Sequence, residues 1–314
     1  MDARISLLPP RRRIARLVVA AVMVAHGGGR VFAQAPLPAG EGRPGGPVFE
    51  PLRADPKEPE FFATYLWTRS PRLASRLGTV GFGETMSLLR TADWQLAIAA
   101  GVFSQFDMAR VTADLMNTDY LVGIPLTYRH GALSTRFRLY HQSSHMGDEY
   151  MVHNHAERVD LSFEGVEALV ARELSHWRVY GGGEYIFARS PADMRPGVLH
   201  GGAEYRQPGS LVRLGRFATG RLVAALDGKS VQDRNWQVGW SFVTGLELDD
   251  PAAALGSGWR WTVLLKAYTG PSPYGEFYRD DRIFDVARRL GISLVDLSGG
   301  SAKSGPKADE KLTT

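Results

Sequence analysis

The sequence predicts an all-β fold: a closed antiparallel transmembrane β-barrel of about 12 strands. Three observations lead there. An export-like N-terminus is followed by no apolar run of 18 residues, so a membrane-bound mature chain must cross without a spanning helix. From Phe61 onward about twelve segments have strand character, several with a clear two-residue alternation, and no long amphipathic helical pattern interrupts them. Short and long connections then take turns between those segments, as they do in outer-membrane barrels.

The elements follow in chain order. Residues 1–33 read as a signal peptide. Arg11, Arg12, Arg13 and Arg16 form its positive region, Ile14 to Ala25 its short apolar core, and Val31-Phe32-Ala33 its small-residue cleavage site. Six of the 37 Lys and Arg and one of the 33 Asp and Glu lie there, which leaves 31 basic against 32 acidic groups. The formal charge of +4 therefore belongs to the leader, and a nucleic-acid partner loses its electrostatic footprint. The absence of Cys excludes a disulfide scaffold, thiol catalysis, Cys-ligated metal sites and a lipid-anchoring cysteine. Residues 34–58 are rich in Pro and Gly and read as a linker, 59–297 as the barrel, and 298–314 as a disordered polar tail.

The strand segments are 61–68, 77–91, 93–106, 116–129, 132–145, 157–172, 176–189, 197–207, 217–230, 234–248, 258–270 and 282–297. Most reach the ~9–11 residues that a tilted strand needs to cross a bilayer. Phe137 and Leu139 alternate with Arg136, Arg138 and Tyr140, and Val159, Leu161 and Phe163 with Arg158, Asp160, Ser162 and Glu164. Thr91-Ala92-Asp93, Arg129-His130-Gly131 and Glu173-Leu174-Ser175 suit tight hairpins. The connections 107–115, 146–156, 190–196 and 271–281 are longer. Trp67, Trp94, Trp177, Trp236 and Trp259 at segment ends suit interfacial girdles. A soluble periplasmic β-protein alternates too. Its dry core, however, would not accept Arg136, Arg138, Asp160 and Glu164 unpaired, whereas a hydrated lumen does. Such side chains would also occlude a 12-stranded lumen and disfavour a wide pore.

Four blocks carry a family resemblance: Phe49 to Pro59 (FEPLRADPKEP), Val80 to Thr85 (VGFGET), Arg138 to Tyr150 (RLYHQSSHMGDEY) and Gly270 to Phe277 (GPSPYGEF). They resemble the bacterial family known as domain of unknown function 1207. The resemblance implies a Gram-negative envelope protein with a β-barrel in the cell outer membrane and supplies no activity. Barrels commonly end on an aromatic residue read by the barrel-insertion machinery. Here Leu294-Val295-Asp296-Leu297 runs into a polar tail instead.

One constellation has the composition for chemistry. His141, His145, His153 and His155 fall within fifteen residues, beside Ser143, Ser144, Asp148 and Glu149. His141 and Ser143 share parity with Phe137 and Leu139, so they should face outward near the external end of the fifth segment. A neutral His beside a Ser can take its proton while a third group orients the ring. The His-x-Ser spacing resembles outer-membrane phospholipase A and the lipid A deacylase barrels. Carried across, this makes His141 the base and Ser143 the nucleophile, with Glu149 or Asn154 as orienting group. A metal site from His141, His145, Asp148 or Glu149 with His153 or His155 is a second reading. A structural tie between loop and rim is the third. No cofactor is called for. The partners expected are membrane lipid and the insertion machinery, and the oligomeric state is left open. The functional readings are a barrel of structural, interaction or small-solute role, a lipid-active serine hydrolase, and a soluble periplasmic β-protein.

Overall fold

A computed structural model describes residues 47–69, 73–214, 218–249, 259–279 and 283–294. The expected signal peptide, the first part of the linker (34–46) and the tail lie outside the described residues. Twelve long strands form, each within a few residues of its expected position: β1 (Phe61–Arg69), β2 (Arg76–Arg90), β3 (Trp94–Asp107), β4 (Asp114–His130), β5 (Leu133–Met146), β6 (Ser162–Leu174), β7 (Trp177–Ser190), β8 (Gly197–Arg206), β10 (Ala218–Val231), β11 (Gln237–Asp249), β12 (Trp259–Gly270) and β13 (Ile283–Leu294). A three-residue strand, β9 (Val212–Leu214), lies alongside β10. One helix the sequence does not announce, α1 (Asp148–Asn154), sits in the connection after β5.

The architecture is an all-β, antiparallel, curled sheet. Neighbours in sequence pair in order, β10 bridges β8 and β11, and β13 pairs with both β12 and β1. Phe61 faces Ile292 and Arg69 faces Phe284 across that last seam. The tight turns lie at one end. The two-residue hairpin link after β4 starts at Gly131, whose φ of 55° is the left-handed geometry that such turns require. The loops 108–113, 147–161, 191–196 and 232–236 and the described part of the connection after β12, 271–279, gather at the other.

Polarity is inverted relative to a water-soluble sheet protein. Outward residues include Ile124, Leu126, Phe137, Leu139, Val170, Phe242, Val263 and Leu265, each 40–60% exposed. Each such side chain, about half exposed, would gain roughly 1 kcal/mol on leaving water. Aromatic rings mark both strand ends. Trp94 stands opposite Tyr128, and Trp177 opposite Tyr205, at the tight-turn end; Tyr65, Trp67 and Trp236 lie toward the loop end. Inward positions carry Arg136, Arg138, Glu167, Arg178, Glu204, Asp227 and Glu247, all under 9% exposed.

Two expectations need correction. Glu164 and Asp160 do not occupy the lumen: Glu164 lies on the outer face, Asp160 is exposed, and Leu161 and Phe163 point inward instead. The alternation was there, but its apolar set faces an apolar part of the interior, and alternation alone does not say which face is inside. Nor do residues 47–58 run as a free linker. They enter from the tight-turn end, reverse through turns at Leu52–Asp55 and Asp55–Glu58, and lie against the inner wall. Val48 N–H donates to Gln95, Arg53 pairs with Glu247 at 2.8 Å, and Glu58 pairs with Arg136 at 2.7 Å.

The connection after β12 fills the loop end. Gly275 N–H donates to the Asp119 carboxylate at 3.1 Å and Glu276 N–H to Asn117 Oδ1 at 3.1 Å. Only glycine fits there, because a Cβ at position 275 would collide with the side chains of Ser144 and Asp119.

Candidate functional site

Two polar groupings stand out, one outside the sheet wall and one inside. On the outside, β5 carries His141 and Ser143 on the face that also exposes Phe137 and Leu139. The register sets His141 beside Val122 of β4 and Glu164 of β6, and Ser143 beside Tyr120 and Ser162. His141 Nδ1 lies 3.2 Å from Glu164 Oε1, with both side chains about one-fifth exposed. The carboxylate against His141 is thus Glu164, a strand neighbour. Among the described residues no hydrogen bond joins His141 to Glu149, to Asn154 or to Ser143 Oγ. Glu149 is exposed in the first turn of α1, and Asn154 turns back to donate to Tyr150 O at 3.0 Å. Chemically, a carboxylate on one ring nitrogen leaves the other for a second partner, and Ser143 follows two residues on along the same face of β5.

The remaining histidines disperse. His145 packs edge-on against the Tyr120 ring, with centroids 5.7 Å apart. His153 Nδ1 lies 2.6 Å from Asp114 Oδ2 and so ties α1 to the start of β4. His155 closes α1 in the left-handed conformation, with φ 50°. Asp148 is exposed and meets Arg158 at 3.4 Å. These side chains do not converge on one point, so a metal centre built from them lacks its geometry.

Inside, the charges are nearly all matched. Glu167, fully buried, accepts from Arg136 Nε at 2.7 Å and from Arg138 Nη2 at 2.8 Å, and Arg136 also reaches Glu58. Arg178 donates to Glu204 at 3.2 Å and to Glu50 O at 2.8 Å. Lys229 sits between Asp55 at 3.2 Å and Glu184 at 3.3 Å. Burial alone would raise the Asp55 carboxyl, but Lys229, followed by His200, overrides it and holds that group well below the usual carboxylate range. His200 Nε2 lies 2.6 Å from Asp227 Oδ2, which also accepts from Tyr180. Pairing of this kind is what permits so many charges away from bulk water.

Glu167, Glu184 and His200 lie close enough to share a cation. Glu167 and Glu184 already face cations of the chain, however. Both Glu167 oxygens are held by arginines, and the Lys229 ammonium stands 3.3 Å from Glu184 Oε1. A divalent ion there would be repelled by three fixed positive charges, so the arrangement reads as an internal salt lattice. The sequence hid this network because its members lie 26 to 174 residues apart and meet only when the strands pair and the segment before β1 docks on them.

The comparisons bear on the fold. The chain is similar to outer membrane phospholipase A from Escherichia coli, with a TM-score of 0.51 and 13% identity over 80% of this chain and 96% of that one. It is similar also to the Salmonella typhi outer membrane phospholipase, solved as a dimer with bound calcium: TM-score 0.50, 13% identity, 77% and 94% covered. At such identities the likeness is one of fold alone. No curated protein matches the chain in sequence. A family model matches residues 19–289, and the chain belongs to that family, described as protein of unknown function (DUF1207).

Proposed function

We propose that the chain is a closed β-barrel of the outer membrane whose lumen is occluded, rather than a diffusion pore. The observation that carries this is the inverted polarity: exposed Ile124, Leu126, Phe137, Leu139, Phe242 and Leu265 outside, a salt-paired interior within. The β1–β13 pairing supports closure, since a barrel leaves no unpaired edge in hydrocarbon. The segment 47–60 and the connection after β12 support occlusion. Extraction of cell envelopes with alkaline carbonate tests the reading. The protein stays with the outer-membrane pellet if it is right; release into the soluble fraction would overturn it.

A second reading is favoured by the His141–Glu164 contact: hydrolysis of membrane phospholipid at the barrel's outer face. Glu164 would fix the imidazole and stabilise its charged form, and His141 would take the Ser143 Oγ proton as the oxygen bonds to an ester carbonyl carbon. The imidazolium would return that proton to the departing lysolipid oxygen, and water would then release the acyl group by the same route. The apolar wall around Phe137 and Leu139 would keep the acyl chain beside the nucleophile. Purified protein in mixed phospholipid–detergent micelles would release fatty acid, Ser143→Ala would abolish release, and Glu164→Gln would lower it about 10–100-fold. Equal release from wild type and Ser143→Ala removes that serine from consideration.

A further inference from the structure

The segment 47–58 is held to the inner wall by ion pairs, and most of the wall charges it meets have a second partner on the wall itself. Glu247 pairs with Arg53 at 2.8 Å and also accepts from Arg206 Nε at 2.9 Å. Lys229 pairs with Asp55 at 3.2 Å and with Glu184 at 3.3 Å. Arg136 pairs with Glu58 at 2.7 Å and with Glu167 at 2.7 Å. These wall charges stay compensated whether or not the segment is in place, so its departure strands none of them.

Asp119 is the exception. It is buried on β4, and among the described residues Lys57 is the one cation paired with it. Its other partners are neutral donors: Asn117 Nδ2 at 3.0 Å, Ser144 Oγ, and the Gly275 N–H of the connection after β12 at 3.1 Å. The Lys57 ammonium also stands 5.9 Å from the centre of the Tyr274 ring, and Pro56, Lys57, Pro273 and Tyr274 line one small cavity. A single buried carboxylate thus holds both a segment that enters from the tight-turn end and a connection that covers the loop end. Without Lys57 its charge would be buried and uncompensated, and lifting the connection away is what lets water hydrate it.

We propose that the segment 47–58 and residues 271–279 form one gate latched at Asp119. Withdrawal of the segment toward the tight turns releases the connection, so the two ends of the lumen open together. The gate rests on the occluded-barrel reading and adds how that occlusion is undone; it uses neither His141 nor Ser143.

The chain has no Cys, so a single introduced thiol reports alone. Ala54→Cys in the segment and Ser272→Cys in the connection, both at buried positions, are followed by their rate of labelling with a hydrophilic maleimide in the full-length protein in lipid nanodiscs. Lys57→Met should speed labelling at both positions, by about tenfold at Ser272→Cys, a factor ordinary for coupled sites. Because coupling is reciprocal, Gly275→Val should speed labelling at Ala54→Cys as well. Combining Lys57→Met with Asp119→Asn removes both charges but keeps an acceptor for the Gly275 N–H, and should return Ser272→Cys to its slow rate. Lost lysine packing would not be rescued in this way. Heat-dependent gel mobility shows that each variant is folded; should Lys57→Met lose it, Gly275→Val decides. Faster labelling confined to the altered end, or a double variant as fast as Lys57→Met, would overturn the gate. Carbonate extraction judges the barrel separately: release of the chain defeats the barrel reading, whereas a retained chain with unlinked labelling rates defeats the gate alone.

Discussion

Removing the carboxylate of Glu167 probes the claim that the lumen is dry and ion-paired. Glu167 has no exposed surface and accepts three hydrogen bonds: Arg136 Nε at 2.7 Å, Arg136 Nη2 at 3.3 Å and Arg138 Nη2 at 2.8 Å. In Glu167→Gln, one oxygen can still accept, but the negative charge is gone and the amide places a donor against a guanidinium. Arg136 keeps Glu58 at 2.7 Å, whereas Arg138 loses its one described hydrogen-bond partner. Stripping one member from a buried pair costs about 3–5 kcal/mol, because the surviving charge is left without compensation. A double change, Glu167→Met with Arg138→Met, removes both charges and should recover most of that loss, since apolar replacements of similar volume are often neutral. The assay is urea unfolding in phospholipid vesicles, followed by Trp fluorescence and by heat-dependent gel mobility. A cost below about 1 kcal/mol for Glu167→Gln would mean that water reaches this site and screens it, refuting the dry-lattice argument.

The other predictions concern the wall, the inserted segment and the loop end. Leu139→Arg places a charge on the outer face near mid-strand and should cost about 2–4 kcal/mol in vesicle refolding; a neutral result would mean that this face is not in hydrocarbon. Asp55 has a folded pKa below its unfolded value near 4, so its contribution is full above pH 4 and is lost as pH falls toward the folded value. The stability gap between wild type and Asp55→Asn should therefore be widest at pH 6–7 and narrow below pH 4, measured by urea unfolding; a gap constant with pH contradicts the Lys229 pairing. Burial raises the Glu276 carboxyl, which works the other way: its stabilising share is present below the unfolded pKa and fades as pH rises through the folded one. The Glu276→Gln variant should accordingly gain relative to wild type between pH 4 and 7 in thermal unfolding. Gly275→Val should prevent the connection after β12 from docking on Asp119, read as faster proteolysis near residue 275 with the strands intact.

The sequence alone determined the strand list, the tight turns, expected at 91–93, 129–131 and 173–175 and found within two residues of those positions, and the inward setting of Arg136 and Arg138. All of these follow from period-two alternation and turn chemistry, which are local. It put His141 and Ser143 on the outer face for the same reason. Tertiary structure alone decided which groups meet. Glu164 reaches His141 across a strand pair whose register is set by the 15-residue connection 147–161, a length that local pattern does not constrain. The facing of Leu161 and Phe163 depended on the interior being apolar at that end, a property of six strands together. Residues 47–58 carry three prolines and continue a Gly-rich stretch that reads as a linker, yet Arg53, Asp55 and Glu58 find Glu247, Lys229 and Arg136 more than 75 residues away. Alternation is written in the chain one residue at a time, whereas a charge acquires its partner only when the sheet curls and brings distant strands within a few ångströms.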